Sequence, residues 1–167
     1  MPRFITVALE SRGVSCTARL DDEHAPRTAA AVWDALPLSG QVFHGKYARN
    51  EIYLLTPAFA EREPGKENTT VTPIPGDLCY FAFDAVELHT PSHGYEAARA
   101  DGPAFIIDLA LFYGRNNLLL NGDQGWVPGN VFGAVVEGLE EMAVACQDIW
   151  MGGARGETLT LSRLREE

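Results

Sequence analysis

Residues 13–36, GVSCTARLDDEHAPRTAAAVWDAL, change their apolar rhythm part-way, and that change decides the class of fold. Val14, Cys16, Ala18 and Leu20 recur at every second position, the mark of a strand with one buried face. Beyond Asp21-Asp22-Glu23, the residues Ala29, Val32, Trp33 and Leu36 fall at i, i+3, i+4 and i+7, which is one face of a helix. Pro26 suits the first turn of that helix and Pro37 ends it. Upstream, Ile5, Val7 and Leu9 alternate as well, and Ser11-Arg12-Gly13 supplies a turn, so a β-hairpin opens the fold.

Downstream, the range 39–55 reads as two short strands broken around Ala48–Asn50. The stretch 57–75, rich in proline, glycine and charge, reads as a long surface loop, of the kind that is commonly functional or mobile. A strand resumes at Leu78–Phe83, and 84–103 is irregular. The run from Phe105 to Tyr113 is too apolar for a surface strand and belongs at the centre of the core. A glycine-rich loop carrying Trp126 follows, then a strand at Val131–Val136. Leu139, Met142, Ala143, Cys146, Ile149 and Trp150 form a second helical stripe, and Thr158–Ser162 closes the chain as a strand. About eight strands with two helices, and strands at both ends, predict a mostly β fold: a closed antiparallel eight-stranded barrel capped by two helices. No linker or repeat divides residues 1–167, so one domain is expected.

Composition narrows the function. The chain has 167 residues, 46% apolar and 22% charged, with a net charge of −10. That charge repels phosphate backbones, which argues against nucleic acid and anionic membranes as partners. Cys16, Cys79 and Cys146 are odd in number, far apart and set in apolar segments, so they read as reduced core residues. With no apolar leader at the N-terminus and no run long enough to span a bilayer, a cytoplasmic location is expected. G-x-S-x-G, G-x-G-x-x-G, P-loop and H-E-x-x-H patterns are missing, so no cofactor is implied. His89 and His93, with Asp84 and Glu87 nearby, invite a metal, but Pro91 breaks their helical presentation and no metal site is expected.

Two separated stretches resemble the cyclophilins. Residues 13–36 match that family's opening strand, its "aP-x-T" and its helix, and residues 131–139, VFGAVVEGL, are similar to its "VFGkVveGm". The resemblance implies the cyclophilin-like barrel. It also implies a prolyl isomerase groove, from which the middle of this chain departs. Phe43-His44-Gly45-Lys46-Tyr47 stands where the family has F-H-R, so glycine replaces the catalytic arginine. No Q-G-G-D follows, and Asn130 takes the place of an expected histidine. Isomerisation has a barrier near ~20 kcal/mol and needs a fixed donor near the proline nitrogen, which glycine does not supply. The middle instead resembles a set of bacterial cyclophilin-like proteins of unknown function, through HGKYARNEIY (44–53), Glu67-Asn68-Thr69-Thr70, Pro75-Gly76-Asp77 and Phe112-Tyr113-Gly114-Arg115.

Candidate ligand-binding residues are His44, Tyr47, Arg49, Glu51, Tyr113, Arg115, Asn116 and Trp126. Arg49 and Arg115 suit bidentate clamping of a carboxylate, His44 or Glu51 suits a general base, and Trp126 suits a stacking lid. The plain alternatives are a solvated edge strand with an Arg49–Glu51 surface ion pair, and an Asn116-Asn117 turn. The leading expectation is a small carboxylate-bearing metabolite bound in a groove on the barrel wall. Its rivals are a prolyl isomerase and a non-catalytic interaction protein; homo-oligomerisation is expected either way.

Overall fold

A computed structural model describes residues 1–88 and 104–165. The opening hairpin forms as the alternation predicts: β1 (Phe4–Leu9) and β2 (Val14–Leu20) flank a 3-10 turn at Glu10–Arg12. Gly13 ends that turn at φ 62°, a left-handed position that costs glycine nothing. Helix α1 (Pro26–Ala35) begins on its proline and is followed by β3 (Leu38–Gln41), β4 (Phe43–His44) and β5 (Glu51–Pro57). Next come β6 (Thr69–Thr70), β7 (Asp77–Asp84) and a short α2 (Ala85–Leu88). The chain continues with β8 (Phe105–Phe112), the tip hairpin β9 (Leu120–Asn121) and β10 (Gly125–Trp126), and β11 (Gly129–Glu137). It closes with α3 (Leu139–Gly152) and β12 (Thr158–Arg163).

One antiparallel sheet runs in the order β3-β12-β1-β2-β11-β7-β8-β5-β4, with β6 paired to β11 beside that path. Its two terminal strands, β3 and β4, are neighbours in sequence, joined by the fully buried Val42 alone. The sheet must therefore roll almost round on itself. Among the described residues, however, no ladder joins its ends. Val42 donates its N–H to Glu157 rather than to a strand across the seam. Gly40 lies so near β5 that an added Cβ would stand 3.2 Å from the Leu55 carbonyl oxygen.

This corrects the expected closed eight-stranded barrel in two ways. The roll stays open at the β3–β5 seam, and the described residues hold twelve strands. Four of the twelve (β4, β6, β9, β10) are two residues long, too short to show any alternation; the other eight are those the periodicity detects. The α-helices among the described residues number three rather than two, α2 being a single turn after β7.

Strand pleating sorts the core into two clusters. Ile52, Leu54, Leu78, Tyr80, Leu109 and Leu111 face inwards with Ile5, Val7, Leu9 and Phe132. Thr28, Ala29 and Val32 of α1, and Met142, Ala145, Cys146 and Ile149 of α3, are buried. Each fully buried leucine or isoleucine there contributes about 1.5–3 kcal/mol. The alternate residues of the same strands, Tyr53, Cys79, Phe81, Ala110 and Phe112, form a second cluster on the outer wall with Leu119 and Val127. All three cysteines are free and buried. Trp150, expected in the α3 stripe, is instead 57% exposed, and Ala145 takes a buried place there.

Candidate functional site

The outer wall carries two carboxyl groups that its apolar neighbours do not explain. Register across the sheet pairs Leu55 with Asp108 and Asp108 with Phe81; four residues before Leu55, at the start of β5, Glu51 pairs with Phe112. Paired residues share a face, so Glu51 and Asp108 lie on the outer wall with Tyr53 and Phe81. Glu51 is 5% and Asp108 7% exposed. Asp108 Oδ1 is buried and has no hydrogen-bond partner. Burial penalises the ionised form and pushes Glu51 up to about 8. Asp108 is raised well above the usual carboxyl range, first by burial and then by the neighbouring Glu51 charge. Burial thus favours the protonated form of both, which can donate as well as accept.

These carboxyls line a cleft of about 220 Å3 that includes Tyr47, Tyr53, Asn121 and Gln124. Asn121 Oδ1 accepts the N–H groups of Asp123 (2.7 Å) and Gln124 (3.3 Å), which fixes the tip turn at the cleft's edge. Gly45 forms another edge. A Cβ built there would stand 2.6 Å from Glu51 Oε2, so the Glu51 carboxyl occupies the space a side chain at 45 would need.

The expected site residues fall in three places. His44 pairs with Ile52 on β5 and so shares the inner side, whereas Glu51 is on the outer wall. Its Nδ1–H donates to the Gly45 carbonyl (3.0 Å), which leaves Nε2 to accept from the Tyr113 hydroxyl (2.6 Å). Burial lowers the His44 pKa and lifts Tyr113 to about 12, so this pair is neutral. The His44 ring also lies 5.0 Å from that of Trp150 on α3.

Tyr113 joins Arg49, Arg115 and Asn116 in an open depression against α3 residues Val144 and Gln147. Arg49 (φ 82°) and Asn116 (φ 65°) both adopt left-handed backbone. Their turns are tied together: the Asn50 N–H donates to Asn117 Oδ1, Asn50 Nδ2 to the Arg115 carbonyl, and Asn117 Nδ2 to the Pro73 and Gly114 carbonyls. Neither guanidinium has a hydrogen-bond or ion-pair partner among the described residues, so the simple Arg49–Glu51 ion pair does not form. Tyr47 and Glu51 belong to the cleft, and Trp126 to a neighbouring groove.

The stretch Glu67-Asn68 has a structural role. Glu67 accepts from the Arg27 and Thr28 N–H groups and the Thr28 hydroxyl, pinning the long loop to the start of α1. Burial alone would raise the Glu67 pKa, but those donors hold it below its ordinary value. Asn130 clamps the same loop, accepting from the Glu67 N–H and donating to the Gly65 carbonyl. His89 and His93 lie outside the described residues, among which no cluster of His, Cys, Asp and Glu is arranged to hold a metal. No helix of the described residues is long and apolar enough to cross a membrane. Sequence reasoning missed Asp108 as a site residue; its signal was a lone charge inside FIIDLALFY.

The family profile of DUF3830, described as a protein of unknown function, matches residues 7–161. The chain belongs to the DUF3830 family. No curated protein matches this DUF3830 chain. Two solved structures share its fold. McbB in complex with tryptophan is 18% identical with a TM-score of 0.61, over 98% of this chain and 45% of McbB. The chain thus spans less than half of McbB's length. The hypothetical protein AF2241 from Archaeoglobus fulgidus is 23% identical with a TM-score of 0.53, over 98% of this chain and 95% of that one. At such identities the likeness shows the fold alone.

Proposed function

We propose that this DUF3830 protein, of cyclophilin-like build, binds a small organic molecule in the outer-wall cleft, and that the molecule presents an ammonium or other N–H group to Glu51 and Asp108. The observation that carries this reading is the buried, unpartnered Asp108 Oδ1 in the wall of the cleft. An unmet buried acceptor costs about 1–3 kcal/mol, which a ligand donor recovers. A cationic donor does more, because it favours the ionised carboxylates that burial otherwise suppresses. That McbB is seen with tryptophan, which carries an ammonium, is compatible with this. The replacement of the isomerase arginine by Gly45, whose side-chain space Glu51 fills, favours binding over prolyl isomerisation.

A thermal-shift comparison of primary amines with organic acids tests the reading. A ligand at 100 times its Kd adds ~2.7 kcal/mol of stability. Amines are expected to raise the Tm of the wild type and not that of Asp108→Asn; equal shifts in both proteins sink the proposal. A second reading keeps the carboxylate-bearing metabolite. It rests on the two partnerless guanidiniums of Arg49 and Arg115, and predicts acid-induced shifts lost in the Arg49→Ala, Arg115→Ala variant.

A further inference from the structure

The cleft does not end at Phe83. Phe83, Asp123 and Gln124 also line an adjoining groove of about 560 Å3, so the two compartments share a wall. β7 supplies Phe81, Ala82 and Phe83 to that groove, and the Phe81 and Phe83 rings lie nearly parallel, 5.7 Å apart with 7° between planes. Gly129 makes room for this pair: a Cβ there would stand 2.7 Å from Phe81 Cζ. Trp126, on the tip hairpin, lines the same groove with 60% of its surface exposed. A largely uncovered indole and the half-buried Phe83, stacked on the buried Phe81, offer faces for a flat ring in one concavity. The charged groups lining the groove are Glu63, Glu87 and Asp123 against Lys66, a balance that favours a cation.

A second observation links the compartments. Among the described residues, two buried side-chain oxygens lack a hydrogen-bond partner: Asp108 Oδ1 and Glu63 Oε1. Asp108 lines the cleft and Glu63 lines the groove. The other oxygen of Glu63 already accepts from the Tyr80 hydroxyl at 2.5 Å, so its carboxyl is held in place while Oε1 stays unmet.

We infer that the ligand spans both compartments as an arylalkylamine, its ammonium at Asp108, its flat ring on the Trp126–Phe83 surface, and an N–H on the ring side at Glu63. This rests on the proposed amine site and adds the class of molecule that fills it. The ring and its N–H account for features the outer-wall cleft alone does not use: the exposed indole, the paired phenylalanines and the second orphan oxygen.

Calorimetric titration of the full chain with four probes tests the inference: butylamine, 1,4-diaminobutane, phenethylamine and tryptamine. Tryptamine is expected to bind tightest, phenethylamine next, and the two aliphatic amines weakest. Removing the indole by Trp126→Ala, at an exposed position, should weaken both arylalkylamines roughly three- to tenfold and leave butylamine unchanged. Glu63→Leu should erase the preference for tryptamine over phenethylamine, with circular dichroism confirming that the variant is folded. The aromatic span is overturned if diaminobutane matches tryptamine, or if Trp126→Ala leaves the arylalkylamines unaffected while butylamine still binds. Absence of binding by all four probes instead removes the amine site itself, and the inference with it.

Discussion

The two faces of β5, β8 and β7 come from the same strands and meet different demands. Inwards they present Ile52, Leu54, Leu109, Leu111 and Leu78, branched aliphatics without a charge among them, and Tyr80. Outwards they present Tyr53, Ala110, Cys79, Phe81 and Phe112, and among them Glu51 and Asp108. Burial is nearly as deep on both sides, yet the inner face has its apolar groups packed and the outer face keeps an acceptor unmet. A sheet stabilised from one side can carry chemistry that lowers stability on the other. The difference supports the site proposed on the outer wall, since an unmet buried acceptor costs stability that a ligand donor would recover.

The largest expected effect lies on the inner face. Leu109→Ala enlarges a small cavity of about 10 Å3 that Leu109 already lines, and should destabilise the protein by about 2–5 kcal/mol in urea unfolding, with no change in m. A loss under 1 kcal/mol would break the contrast between the faces.

The outer face should show itself through pH. Burial raises the pKa of Glu51 and Asp108, so the folded protein keeps protons that the unfolded chain gives up above about 4.5. Their contribution to stability is therefore full below that pH and is lost as pH rises through about 8. The loss should amount to a few kcal/mol by equilibrium unfolding across that window. In the Glu51→Gln, Asp108→Asn variant the slope should flatten; an unchanged slope would assign it to other groups.

Gly45→Ala tests the packing between the β4–β5 turn and the cleft. The added Cβ meets Glu51 Oε2, so a cost of about 1–3 kcal/mol is expected. In a Glu51→Ala background most of that cost should vanish, and a double-mutant cycle measures the coupling. Equal costs in both backgrounds would separate Gly45 from the carboxyl.

The smallest effect belongs to Arg49, at φ 82°. Arg49→Gly relieves a left-handed backbone and should stabilise by up to about 1 kcal/mol. Thermal unfolding of this variant beside Arg49→Ala, which keeps the strain, separates backbone from side chain.

How much was legible follows from pattern length. The hairpin at 4–20, α1 and the long strands carry four or more alternating or helical positions, and each forms where its period predicts. Two-residue strands carry no period, so β6, β9 and β10 were unreadable, and β3 and β4, read as one strand, are parted at the single residue Val42. The candidate residues were partly assembled: His44 meets Tyr113, and Arg49, Arg115 and Asn116 share a depression. Separating His44 from Glu51 was beyond the sequence, because His44 pairs with Ile52, whose chain neighbour Glu51 points to the opposite face, and that register is set by tertiary contacts. Asp108 was visible as a charge in an apolar run, but its orphan oxygen exists only once Phe81 and Leu55 flank it.

The place of β12 bears on how the protein is made. Among the described residues β3 pairs with β12 and with no other strand, and β12 lies on the other side of β1 from β2. Until residues 158–163 have been synthesised, the growing chain holds both of those backbone edges unpaired. Ribosome-bound intermediates therefore carry a vacant slot between the first and third strands, a natural target for chaperones or for strand exchange between nascent copies. Ending translation just before Thr158 should thus yield aggregation rather than a smaller soluble domain.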